Sequence, residues 1–72
     1  MEENYRNLAN AVIKLAAFDY KTALVRLRKH PHDAEFRQDK AELERFFRSG
    51  YFELLTDLDG EYLLQRIEEE CG

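Results

Sequence analysis

Cysteine is almost missing from this chain. Its one thiol, Cys71, has no intrachain partner for a disulfide and cannot build a thiolate zinc cluster, so a cytoplasmic setting is expected. Proline is as scarce, and the single Pro31 divides the sequence once. Tryptophan is absent and glycine occurs only three times, so Gly-rich phosphate loops are excluded. No apolar run approaches the ~20 residues of a membrane span, and MEENYRNL is too acidic and polar for a secretory leader. No membrane association is expected. Cations are the minority, 11 Lys and Arg against 15 Asp and Glu. A net charge of −4 argues against a generic nucleic-acid coat, because phosphate binding rests on a basic surface.

What is plentiful is helix-forming sequence. From Asn4 to His30 there is neither Gly nor Pro, and the apolar residues recur at helical spacing. Tyr5, Leu8, Ala9, Val12, Leu15, Ala16, Ala23 and Leu27 fall on one broad face, and a second stripe follows Ala11, Phe18, Thr22 and Val25. Apolar surface this wide asks for cover on more than one side. A helix of this length reaches ~40 Å, whereas a compact chain of 72 residues has a radius of gyration near 11 Å. Either one end protrudes or a second copy packs along it, and alanines 9, 11, 16, 17 and 23 permit close approach. Homo-oligomerisation is the expectation.

Two charges interrupt the apolar face, Asp19 and, seven residues on, Arg26. A buried carboxylate needs a cation or several donors. Asp19 is therefore read either as half of an ion pair that fixes packing register or, with Arg26, as the lining of a ligand pocket.

Glu2 and Glu3 suit the start of the first helix, with Asn4 a usable cap, and Arg26, Arg28, Lys29 and His30 suit its end. His30 and His32 flank Pro31 without a third ligand, so no metal is assigned. Asp33 caps a second helix whose seam is Phe36, Lys40, Leu43 and Phe47, with Phe46 beside it and Glu44 placed to pair with Arg48. Ser49-Gly50 breaks it, and Tyr51, Phe52, Leu54 and Leu55 are expected to plug one end of the core. Thr56 or Asp57 caps a last helix with a stripe of Leu63, Leu64, Ile67 and Cys71. Asp57-Leu58-Asp59-Gly60 invites a calcium loop, but that register puts Leu55 first and Arg66 twelfth, so it fails.

The prediction is an all-α fold in a single domain, a small three-helix bundle with one added short helix, built on the long N-terminal helix and oligomerising. The helices are expected at about 4–30, 34–49, 51–55 and 58–70. No His-Glu-x-x-His and no nucleophile elbow occurs. A non-enzymatic binding protein without a cofactor is expected.

Phe46-Phe47-Arg48-Ser49, followed by Leu55-Thr56-Asp57-Leu58-Asp59-Gly60-Glu61-Tyr62-Leu63 and preceded by YRNLANAVIKLAAFDYKTAL, resembles a group of short proteins encoded in phages and prophages of Firmicutes. The similarity covers most of the chain. It implies a setting, a mobile genetic element in the host bacterial cytoplasm, and carries over no activity.

Charge is graded along the chain. Residues 1–30 hold six Lys or Arg against three acids, and residues 51–72 hold one Arg against seven acids. In a phage setting this suggests counter-defence by one of two routes. Asp57, Asp59, Glu61, Glu68, Glu69 and Glu70 would block a host protein by mimicking the charge of nucleic acid. Alternatively, Asp19, Tyr20, Lys21, Arg26, Arg28, Arg45, Arg48 and Tyr51 would sequester a small anionic ligand such as a nucleotide signal, because phosphates need cations and bases need a ring to stack on. A helical DNA-associated regulator, with Ser49-Gly50 as its corner, is opposed by the single Arg of the last helix. A structural component of a phage assembly is the remaining alternative.

Overall fold

The computed structural model describes the backbone of residues 2–71 and the side chains of residues 8–71. Within them lie four helices and no strand: α1 (Glu2–Lys29), α2 (Ala34–Phe47), α3 (Gly50–Leu55) and α4 (Gly60–Cys71). The side chains of Glu2, Glu3, Asn4 and Tyr5, to which the sequence gives dipole, capping and apolar roles, lie outside the described residues. The backbone is already helical at Glu2, ahead of the expected start.

At 1.5 Å per residue α1 is ~42 Å long, and the molecule measures 43 × 21 × 18 Å. The long helix thus sets the long axis. The radius of gyration, 13.0 Å, exceeds the ~11 Å of a compact chain this size. Helix α1 stops where Pro31 cannot continue it, and the last amide, that of His30, still reaches Arg26 O at 2.9 Å. Asp33 then caps α2 as expected, its carboxylate accepting from the amides of Glu35 (3.0 Å) and Phe36 (3.2 Å).

Helix α2 returns antiparallel to α1, so that Ala41 lies beside Leu27 and Phe47 meets Tyr20 edge-on at 6.3 Å. Helix α4 runs parallel to α1, from Phe47 at its start to Leu24 and Leu27 beside Cys71 at its end. The core is Ile13, Tyr20, Phe47, Phe52 and Leu64, with Leu24, Leu43, Phe46, Leu55, Leu63 and Ile67 packed around it. Full burial of each large side chain contributes about 1.5–3 kcal/mol. Around Phe47 the rings of Phe46 and Phe52 lie 5.3 and 5.4 Å away, geometry that adds to area burial. Leu43 and Phe47 of the seam expected for α2, and Leu63, Leu64 and Ile67 of the stripe expected for α4, pack in this core; Phe36 instead lines a surface groove and Lys40 pairs with Glu44.

Helix α1 departs from expectation in which side it buries. The covered line is Ala9, Ile13, Ala16, Tyr20, Ala23 and Leu27, spaced by alternating fours and threes. A second line, Leu8, Ala11, Leu15, Phe18, Thr22 and Val25, has the same spacing, and at 100° per residue it lies about 150° around the helix. Its large members are open to solvent: Leu8 and Phe18 are 67 % exposed and Leu15 65 %. The broad face and adjoining stripe expected from the sequence are instead two lines nearly back to back, with Leu8 and Leu15 on the open one. Asp19 and Arg26 lie between them, and both are exposed. Among the described residues Asp19 therefore forms no buried ion pair.

At the other end Ser49 makes the corner. It ends α2 two residues earlier than expected, because its hydroxyl donates to Phe46 O (2.6 Å) while accepting from the Phe52 amide (3.2 Å), which caps α3. Tyr51 and Leu54, expected in the core, are exposed, and Phe52 and Leu55 supply the plug. Helix α4 begins at Gly60, later than expected, because Asp59 and not Thr56 or Asp57 caps it, accepting from the amides of Glu61 (3.0 Å) and Tyr62 (3.4 Å). Gly60 is buried against α2, where an added Cβ would lie 1.8 Å from Phe47 O. Only glycine permits this crossing.

Candidate functional site

The turn that joins α3 to α4 walls a surface groove of about 490 Å³. Phe47 and Phe52, both buried, form its floor, and Leu58 is its exposed apolar wall. Glu53, Asp57, Asp59 and Glu61 line it and are all exposed. The turn is held by the Leu58 amide on Thr56 Oγ1 at 3.2 Å and by the Asp59 cap. Arg48 is the cation among the lining residues, and its Nε donates to Glu61. That hydrogen bond pushes the Arg48 guanidinium further above its already high pKa. Four carboxylates around one committed cation leave the groove negative, over an apolar floor.

The sequence-predicted acids divide into two groups. Asp57, Asp59 and Glu61 meet at this groove. Glu68, Glu69 and Glu70 lie at the far end of α4, and Glu68 is engaged by Tyr20. Glu53, Phe47, Phe52 and Leu58 line the groove but are not among the sequence-predicted site residues, since only the fold brings α2, α3 and the turn together.

The sequence-predicted cationic and aromatic set is not brought together. Tyr20 is fully buried, with 0 % of its surface exposed, so its ring offers no platform to a base. Tyr51 is exposed but leans on Phe46 at 6.2 Å. Lys21, Arg26 and Arg28 are exposed along α1, Arg45 is exposed on α2, and Arg48 is held by Glu61. Asp19 lines a different groove of about 430 Å³ with Thr22 of α1 and Phe36, Asp39, Glu42 and Leu43 of α2.

Tyr20 instead ties three helices together. Its hydroxyl donates to Glu68 of α4 at 2.8 Å and lies 3.3 Å from Glu44 Oε2 of α2, which also accepts from Lys40 Nζ at 3.2 Å. Glu44 thus answers Lys40 and Tyr20, not the Arg48 expected from spacing. Burial first, then the hydrogen bond to Glu68 and the charge of Glu44, hold the phenol well above the usual tyrosine range. Among the described residues no buried side-chain polar atom lacks a partner, no cluster of His, Cys, Asp and Glu could hold a metal, and no helix is long and apolar enough to cross a membrane.

No family model, no curated protein and no solved structure matches the chain.

Proposed function

We propose that this chain is a non-enzymatic phage accessory protein that binds a basic surface of a host protein through the groove between α3 and α4, and so denies that surface to nucleic acid. One observation carries the reading: Glu53, Asp57, Asp59 and Glu61 surround an apolar floor, with the cation Arg48 already committed to Glu61. Carboxylates there give charge complementarity and fast capture of a basic partner. Phe47, Phe52 and Leu58 give the contact its apolar centre. Most of the lining, Phe47, Arg48 and residues 56–61, belongs to the stretches that resemble phage-encoded proteins, which supports the counter-defence reading. The nucleotide-sequestering route has less support, because its cations are spread over two helices and its buried ring Tyr20 is out of reach.

The test is fluorescence anisotropy with a labelled Lys/Arg-rich peptide and with duplex DNA of equal label. Peptide binding that weakens as salt rises, and that falls at least tenfold in the triple variant Glu53→Gln, Asp57→Asn, Glu61→Gln, is expected. Asp59 is left in place because it caps α4. Peptide binding indifferent to the triple variant, or binding of DNA in preference to peptide, would overturn the reading.

A further inference from the structure

We infer that the uncovered line of α1 is the contact surface for a second copy of this chain, packed with the two α1 helices parallel about a two-fold axis. The inference is independent of the acidic groove, which no residue of α1 lines, so either can fail alone. Leu8, Ala11, Leu15, Phe18, Thr22 and Val25 form an unbroken line at the three-and-four spacing of a coiled-coil seam. Among the described residues nothing covers Leu8, Leu15 or Phe18.

The charge on the two flanks says what covers the line. One flank carries Lys14, Lys21 and Arg28, each seven residues from the next and all exposed, offset in part by Glu68 of α4, which shares a groove with Arg28. The other carries Asp19 and, from α2, Asp39 and Glu42 at the groove they share, offset in part by Arg26. A two-fold axis parallel to α1 sets the basic flank of each copy against the acidic flank of its partner, twice over. A two-fold axis perpendicular to α1 sets basic against basic. The parallel arrangement also keeps equal heights together, so Lys21 arrives level with the partner's groove beside Asp19 and Thr22. A partner helix with only one sign of charge would satisfy one flank and repel the other, whereas a second copy satisfies both.

The seam from residue 8 to residue 25 is ~26 Å long on helices ~10 Å across. Such a contact buries roughly 1,000 Å² in total, just under the range of stable specific complexes. A reversible dimer that strengthens with concentration and weakens with salt is therefore expected.

Sedimentation equilibrium up to high-micromolar protein, combined with cysteine cross-linking in a Cys71→Ala background, decides the matter. The chain should shift from monomer to dimer with concentration. Phe18→Glu should remain monomeric with an unchanged helical circular-dichroism spectrum, and Lys21→Glu should weaken the dimer at least tenfold. In the parallel dimer Ala11→Cys faces its own copy and should form a disulfide-linked dimer under oxidation. In the antiparallel one Ala11 faces Thr22, so only a mixture of Ala11→Cys and Thr22→Cys would cross-link. A monomer at every concentration, a dimer untouched by Phe18→Glu, a dimer strengthened by Lys21→Glu, or the mixed cross-link without the self cross-link would each overturn the inference.

Discussion

Helix α1 carries two apolar lines of equal length and equal spacing, yet only one is covered. The covered line alternates small with large, Ala9, Ala16 and Ala23 against Ile13, Tyr20 and Leu27; the uncovered line holds Leu8, Leu15 and Phe18. Hydrophobicity alone would choose the wrong one. The covered line wins because alanine lets α2 and α4 approach closely, and because Tyr20 gives them a hydroxyl to share between Glu44 and Glu68. Close packing and hydrogen-bond satisfaction, not apolar content, decide which face turns inward. The leftover line is then available for contact with another molecule.

If small residues are what admit α2 and α4, enlarging one should be costly. Ala23 is 1 % exposed, and Ala23→Leu should lower unfolding free energy by about 1–3 kcal/mol through overpacking. Chemical denaturation followed by circular dichroism measures it. A neutral result would mean that α2 and α4 sit loosely on α1 and that the alanines merely favour helix.

The hydroxyl has a smaller and pH-dependent share. Tyr20→Phe keeps the ring against Phe47 and removes the donor to Glu68, for a loss of about 1 kcal/mol. Because burial and the two carboxylates raise the phenol's pKa in the fold, the neutral form is the one the fold favours. The contribution is therefore complete below the unfolded tyrosine pKa of about 10 and is lost as pH rises through the folded one. The stability gap between the wild type and Tyr20→Phe should be flat from neutral pH to about 10 and close above it. A gap that widened with pH would mean the hydroxyl is not held as a neutral donor.

These effects also show which parts of the fold can be read from residues. Pro31 and Asp33 mark their own places, because one forbids helix and the other caps it, and α2 and α4 each have a single apolar side. Helix α1 has apolar residues at adjacent positions, such as 8 and 9, 12 and 13, and 15 and 16, so its two lines blur into one average direction. That average points towards Asp19, which is why Asp19 reads as buried from sequence and is exposed in the fold. The turn acids Asp57, Asp59 and Glu61 are legible because they are neighbours in sequence. Glu53 and the Phe47 floor are not, since packing alone brings them there. Glu68 cannot be told from Glu69 or Glu70 without knowing that its phase on α4 meets Tyr20.

The smallest expected effect is the sharpest test of the comparison. Leu15→Gln, measured at a concentration low enough to keep the chain monomeric, exchanges an exposed apolar side chain for a polar one of similar helix propensity. Its stability should stay within about 0.5 kcal/mol of the wild type. Two residues earlier, Ile13 is 8 % exposed in the core, and Ile13→Gln should cost about 2–5 kcal/mol, because the burial of an apolar sec-butyl group is lost and a buried amide is left to find partners. Equal costs at the two positions would mean that the chain covers both lines itself, and the surface assigned to a second copy would no longer exist. A large loss at Ile13 beside a negligible one at Leu15 would leave the uncovered line free of any folding role, so that whatever maintains Leu8, Leu15 and Phe18 there acts between molecules.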